Sequence, residues 1–360
     1  MNYRTTKLLD RSDIGPSGTK TIEIHLDQPI SRIMLEWQVM KSVSYMMDHP
    51  HIDISKIELV DGSDVLHSMN GGQNQALCIY DRKCPDMNYG TYIGANVQLS
   101  YYGIDFGRFL WDPMLALDPA KFKNLQLKIT YSEILSDTGG TAGSLEVIAE
   151  VFDEKVISPM GFLMSKAIHQ YTTGAHQSYE YIDLPTDYPF RKLLVQGYAK
   201  GYEPWFVVEE ARLNEDNEKR IPFDWDLERY YIHRRGIDPM LQCHFATQLE
   251  ATERHYYVTP TDYWANVVLQ LSDPDAETGS NYVGKGGELH LNARNGVEAS
   301  GIVHGYLPNH CFQFPFGDQM DPDDWYDVTK IGHLQMRLRA GSLGAGTGVG
   351  AVVLQQLRSY

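Results

Sequence analysis

Four sets of residues in this sequence have types and spacings that chemistry could use. His49-Pro50-His51 sets two imidazoles two positions apart, the His-x-His spacing of a cupin metal site. Metal ligands must converge in space, and a bicupin would need a matching set in the second half. There His290, His304 and His310 lie scattered, and the Pro and Asp beside His49 and His51 suit a loop. Asp321, Asp323 and Asp324 offer hard oxygen ligands and are the calcium candidates of the chain. They lack the Gly and terminal Glu of an EF-hand loop. Carboxylates also suit the N-terminal dipole of a short helix, so the favoured reading is a solvated turn. The run Gly341-Ser342-Leu343-Gly344-Ala345-Gly346-Thr347-Gly348-Val349-Gly350 invites a phosphate. It has no Lys-Ser/Thr ending and precedes a strand where a P-loop needs a helix, so it reads as a mobile loop between strands. Trp37, Trp205, Trp225, Trp264 and Trp325 could stack on sugars, but a buried core is the commoner fate of Trp.

Nucleophile chemistry finds no pattern. No serine sits in G-x-S-x-G, and no cysteine has an evident histidine partner. Cys78, Cys84, Cys243 and Cys311 form no C-x-x-C pair and are too few for a disulfide framework, so they read as free thiols of a protein made in a reducing cytoplasm. The 47 acidic residues offer too many pairs for a glycosidase pair to be singled out. The expected assignment is therefore no catalytic residue and no cofactor.

The elements that would position any site repeat. Trp111-Asp112-Pro113 is followed by Asn124-Leu125-Gln126-Leu127-Lys128-Ile129, and Met320-Asp321-Pro322 by His333-Leu334-Gln335-Met336-Arg337-Leu338. The Asp-Pro pairs and the Leu-Gln pairs are both 209 positions apart. Asp-Pro marks a turn, and the alternation after it marks a strand with one buried face. A glycine-rich loop follows each copy, around Gly139-Gly140 and Gly344-Ala345-Gly346, and then a final apolar strand. Turn, strand, loop and strand in one order point to two domains of one kind in tandem. Weaker counterparts are Thr21 to Leu26 with Tyr179-Glu180-Tyr181, Ile33 to Trp37 with Leu193-Leu194-Val195, Ile54 to Gly62 with Val207 to Asn217, and Ile104-Asp105-Phe106 with Phe312-Gln313-Phe314.

With 360 residues, 42% hydrophobic, the chain can fill two cores. Its 23 Tyr, 31 Gly and 17 Pro favour strands and turns. The net charge is −16 and both halves are acidic, which argues against binding through phosphates and for a soluble surface. The first 20 residues lack the apolar core of a signal peptide, and no apolar run approaches a membrane span of ~18 residues. Residues 1–20 read as an arm, broken at Gly15-Pro16-Ser17-Gly18, that is either frayed or ordered on a neighbouring subunit. Val156 to His169 reads as a short amphipathic helix at the domain junction. Gln73 to Tyr80 is open between helix and strand. Residues 272–305 depart most from the first half and read as an exposed insertion.

Taken together, the paired Asp-Pro turns, the paired strands at Leu125 and Leu334, the two glycine loops and the connector near Phe162 resemble the double jelly-roll major capsid proteins of icosahedral viruses, the PRD1–adenovirus lineage, and by size its smaller bacteriophage members. The expected fold is all-β: two tandem eight-stranded jelly rolls with a short helical connector. The expected division is an arm over 1–20, a first roll over 21–153, a connector over 154–177 and a second roll over 178–360. The resemblance implies a structural coat protein without enzyme activity. It implies a homotrimeric, pseudo-hexagonal capsomer in a trimer–trimer lattice, made in the host cytoplasm and located in the virion capsid. Implied partners are further copies of the chain and minor capsid or penton proteins, with no sequence-specific nucleic acid; the resemblance leaves open whether an internal membrane lies beneath the shell. Two alternatives use the same fold: a glycan-acting hydrolase resembling peptide N-glycanases, with acidic residues in a cleft between the rolls, and a carbohydrate-binding lectin-like protein. Fold alone does not choose among them.

Overall fold

A computed structural model describes residues 1–40, 47–92, 97–132, 143–263, 265–276 and 279–360. Trp264 and most of the first glycine loop, residues 133–142, lie outside the described residues. In chain order the first part runs β1 (Tyr3–Ile14), β2 (Ser17–Glu23), β3 (Ile30–Met40), β4 (Ile54–Asp61), β5 (Asp64–Met69), helix α1 (Gly71–Arg82), β6 (Asn88–Tyr92), β7 (Val97–Asp105), β8 (Leu125–Ser132) and β9 (Gly143–Phe152). The second part runs β10 (Gly161–Thr172), β11 (Tyr179–Asp183), β12 (Phe190–Tyr198), β13 (Val208–Glu215), β14 (Arg220–Asp226), helix α2 (Leu227–Arg234), β15 (Leu241–Gln248), β16 (Arg254–Tyr257), β17 (Asn266–Leu271), β18 (Gly279–Lys285), β19 (Glu288–Asn292), β20 (Glu298–Gly305), β21 (Cys311–Pro315), β22 (Leu334–Ala340) and β23 (Val349–Ser359).

Strand pairing resolves these into two rolls of the same plan. In the first, β1-β9-β3-β7 packs on β2-β8-β4-β5; in the second, β10-β23-β12-β21 packs on β11-β22-β13-β14. Each strand of one roll has a counterpart in the other, and each roll carries a helix after its fifth strand. The cause is the period-two pattern. Leu125, Leu127 and Ile129 of β8 point into the first core, and Leu334, Met336 and Leu338 of β22 into the second, while Gln126, Lys128, Gln335 and Arg337 alternate outward. Burying each such side chain is worth about 1.5–3 kcal/mol. The Asp-Pro turns occupy equivalent places, between β7 and β8 and between β21 and β22. In both, the aspartate Oδ1 accepts from the backbone N–H two residues on, Met114 at 3.0 Å and Asp323 at 3.1 Å.

The rolls are joined edge to edge. β5 pairs in parallel with β10, His67 beside Ser165 and Ser68 beside Lys166, which makes one eight-stranded sheet of two four-stranded ones. On the other side β6 pairs in parallel with β15, Gly90 beside Phe245, and extends the first roll's sheet into the insertion. Strand edges that would otherwise face solvent are thereby closed at the junction.

Three expectations need correction. Residues 1–20 are not an arm: β1 lies along β9 from Tyr3 to Ile14, and β2 lies along β8. Being an outer strand, β1 keeps a polar sequence, and Lys7 and Arg11 pair with Glu146 of β9 at 2.7 and 3.6 Å. The segment expected as a helical connector is the strand β10. Its residues Gly161 to Ser165 are buried without alternation because Phe162 and Met164 enter the first core while Leu163, on the other face, packs with Leu115, Trp325 and Leu357, and an apolar run of that length does not separate strand from helix. The insertion is larger than 272–305. It spans β15 to β20, and its three-stranded sheet β16-β19-β18 packs on the β15-β20-β17 strands around a third core that contains Phe245, Tyr256, Leu289, Leu291 and Val303.

Candidate functional site

Helix α1 stands at the centre of the roll junction. Asn70 caps it: its side chain accepts from Gln73 N at 2.8 Å, while the Gln73 side chain accepts from Asn70 N at 3.1 Å, a reciprocal box that fixes where the helix starts. Residues 71–79 are all buried, including the polar Gln73, Asn74 and Gln75. Buried amides need partners, and these find them in both rolls. Gln73 Nε2 donates to Gln196 Oε1 of β12 at 3.0 Å, Asn74 Nδ2 to the Gly103 carbonyl of β7 at 2.8 Å, and Gln75 Nε2 to Asn88 Oδ1 of β6 at 2.9 Å. Asn309, just before β21, donates to Gly72 O and Gln75 Oε1, both at 3.2 Å, and Tyr80 donates to the Cys311 carbonyl at 2.7 Å.

The last turn of α1 adds charge. Asp81 is buried between Arg191 Nη1 at 2.8 Å and Lys192 Nζ at 2.6 Å, both on β12. Gln355 of β23 bridges the group, donating to Asp81 Oδ2 at 3.0 Å and accepting from Arg191 at 2.7 Å. Burial works to raise the Asp81 carboxyl, but the two cations together outweigh it and hold the group below the usual carboxylate range. Burial likewise pulls the Lys192 ammonium down, against the opposing pull of Asp81. The next residue, Arg82, turns the other way and forks onto Asp105 of β7 at 2.8 and 3.1 Å. One helix end therefore carries an ion group to each roll, buried toward the second and part-buried toward the first. At a second crossing, Arg108 Nε donates to Asp112 Oδ2 at 2.7 Å and its Nη1 to the Met320 carbonyl at 2.5 Å, so the two repeated turns meet. These hydrogen bonds and ion pairs tie the two rolls to each other.

No family model matches the sequence, and no curated protein matches it. Solved structures do. The major capsid protein of Sulfolobus turreted icosahedral virus aligns over 99% of this chain and 96% of its own, with a TM-score of 0.61 at 10% identity. Major capsid protein P2 of bacteriophage PM2 aligns over 99% and 98%, with a TM-score of 0.54 at 10% identity. The PBCV-1 virus capsid aligns over 99% and 94%, with a TM-score of 0.54 at 11% identity. The chain has the double jelly-roll fold.

Within this double jelly roll the residues singled out by sequence fall in separate places. Asp321 starts a 3₁₀ turn over Pro322–Asp324, Asp324 Oδ2 accepts from Asp318 N at 2.6 Å, and all three candidate calcium carboxylates sit at the surface, two of them on local backbone N–H groups. His49 and His51 are buried with ring centroids 4.5 Å apart, and His51 N donates to His49 Nδ1 at 3.2 Å. Trp37 and Trp205 belong to the two roll cores, Trp225 stacks on His233, and Trp325 lies under the Arg191 guanidinium at 5.7 Å. The second glycine loop joins β22 to β23. Gly346 N donates to Thr173 O at 2.9 Å, and Gly344 and Gly346 adopt the positive φ that favours glycine there. Sequence reasoning missed Asp81, Arg191 and Lys192. Asp81 lies 110 positions before Arg191, and neither it nor the adjacent Arg191-Lys192 pair carries a motif; only the 3.6-residue period of α1 places Asp81 on a face with Leu77.

Proposed function

We propose that this chain is the major capsid protein of an icosahedral virion. Three copies assemble into a pseudo-hexagonal capsomer, and the capsomers tile a lattice. What carries the reading is the pairing of two equivalent eight-stranded rolls in one chain with an end-to-end match to capsid proteins. Three chains with two similar rolls each present six similar flanks, so a three-fold oligomer can pack with near six-fold neighbours. The junction supports the role: shared sheets and buried ion groups hold the two rolls at one angle, as a tile requires. The insertion from β15 to β20 is the largest asymmetry between the rolls and is assigned to the tower or to contacts between subunits. The role is structural rather than enzymatic. Partners are further copies of the chain and minor capsid or penton proteins, without sequence-specific nucleic acid. Electron microscopy of the purified chain tests the proposal. Three-fold plates with six roll-sized densities around a centre support it, and lone two-lobed particles at high concentration contradict it.

A further inference from the structure

The three-stranded sheet of the insertion carries a group of side chains that neither the roll junction nor the capsid reading uses. In β16 and β19, His255 lies directly opposite His290, and Tyr257 opposite Glu288. The alternate residues Tyr256, Leu289 and Leu291 are buried in the third core, so the pleat turns His255, Glu288 and His290 to the opposite face. Glu253, one residue before β16, reaches the same place. The two imidazoles stack with centroids 3.9 Å apart. His290 Nδ1 lies 3.3 Å from Glu253 Oε1, and its Nε2 lies 3.5 Å from Glu288 Oε2. The other oxygen of Glu288 lies 3.5 Å from His255 Nδ1. One donor atom each from Glu253, His255 and His290 fall within 4.8 Å of one another.

We propose that Glu253, His255 and His290 form a binding site for one divalent transition cation of the zinc class, with Glu288 positioning the imidazoles. Two nitrogens and one carboxylate match that class, whereas calcium and magnesium take oxygen donors. A shared cation would draw the donors together until each lies about 2.0–2.2 Å from it. The required movement is small and is open to the side chains, since His255 is 45% exposed and Glu253 31%. Glu288, only 11% exposed, is placed to accept from the ring nitrogens that do not bind the ion, the arrangement that fixes an imidazole's tautomer and orientation. Stacked imidazoles flanked by carboxylates also occur as plain ion pairs; a third converging donor and a carboxylate behind both rings are what a cation site adds. Three protein ligands leave a fourth position for water or for a donor from another molecule.

The experiment uses the full chain without a polyhistidine tag, stripped with a chelator, titrated with zinc in a calorimeter and with cobalt in a spectrophotometer. The expected result is one equivalent of saturable zinc binding, the visible absorption of a low-symmetry cobalt site, and no displacement by millimolar calcium or magnesium. His255→Ala and His290→Ala each abolish the stoichiometric binding, and Glu288→Gln weakens it by about 10- to 100-fold. Thermal melting of each stripped variant reports folding separately, and in the wild type zinc raises the melting temperature. The proposal is overturned by a folded wild type that binds no stoichiometric zinc, or by binding that persists in the His255→Ala/His290→Ala double variant.

Discussion

Lowering the pH from 7 to 5 should weaken this fold far more than its surface charge suggests, because its buried histidines are held neutral. Burial pushes His51 and His67 each down to about 3, in His51 with the adjacent His310 adding to the effect and in His67 against the pull of Asp105. Burial pushes His310 down to about 4, against the backbone carbonyls of Ala199, Tyr202 and Gly286. His49 moves the same way from burial, with His51 and His310 beside it. A histidine in the unfolded chain titrates near ~6.5. Below that pH the unfolded state takes up protons that the native state refuses, so stability falls with pH from about 6.5 and levels off only near the folded values of about 3 to 4. At pH 5 each such group costs about 2 kcal/mol relative to full deprotonation, so His51, His67 and His310 together cost about 6 kcal/mol. That is comparable to the whole stability of many domains, ~5–15 kcal/mol. Denaturant unfolding at pH 7 and pH 5, followed by tryptophan fluorescence, measures the difference. His310→Gln should remove about 2 kcal/mol of the pH dependence whatever it does to stability at pH 7. A wild-type unfolding midpoint unchanged between the two pH values refutes the reasoning. So does a triple variant at positions 51, 67 and 310 that loses as much as the wild type.

The roll junction makes two further predictions. Asp81→Asn leaves Arg191 and Lys192 buried without the carboxylate that pairs with both and should cost roughly 3–5 kcal/mol in denaturant unfolding; a loss under about 1 kcal/mol contradicts the ion group's role, by the scale of an exposed pair. Asn70→Ala removes one arm of the capping box of α1 and should cost about 1 kcal/mol, with Asn70→Ser recovering most of it; equal losses for the two variants argue against capping.

How much of this was legible beforehand follows from the range of the forces involved. The 209-residue spacing of Asp112 and Asp321 survived because a turn and an alternating strand are local, and both are set by the residues that show them. The strand β10 does not show in the sequence because Phe162, Leu163 and Met164 are buried by neighbours from both rolls, and two-sided burial erases the alternation that marks a strand. The strand β1 is hidden for the opposite reason. At the edge of its sheet, Arg4, Lys7 and Arg11 read as a solvated tail until Asp153 is placed beside Arg4 and Glu146 of β9 beside Lys7 and Arg11. Helix or strand stayed open over Gln73 to Tyr80 because Gln73, Asn74 and Gln75 look exposed, and only the partners in two rolls explain their burial. The His255–His290 pair was invisible in the same way, since cross-strand register, which chain spacing does not encode, brings the two together.

The most direct test of the account is the mass of the purified chain in solution, by sedimentation at several concentrations. The 41.0 kDa chain is predicted to sediment as a trimer that persists on dilution. A single species at the mass of one chain across that range would contradict the proposal that two rolls are held together here in order to build a three-fold tile.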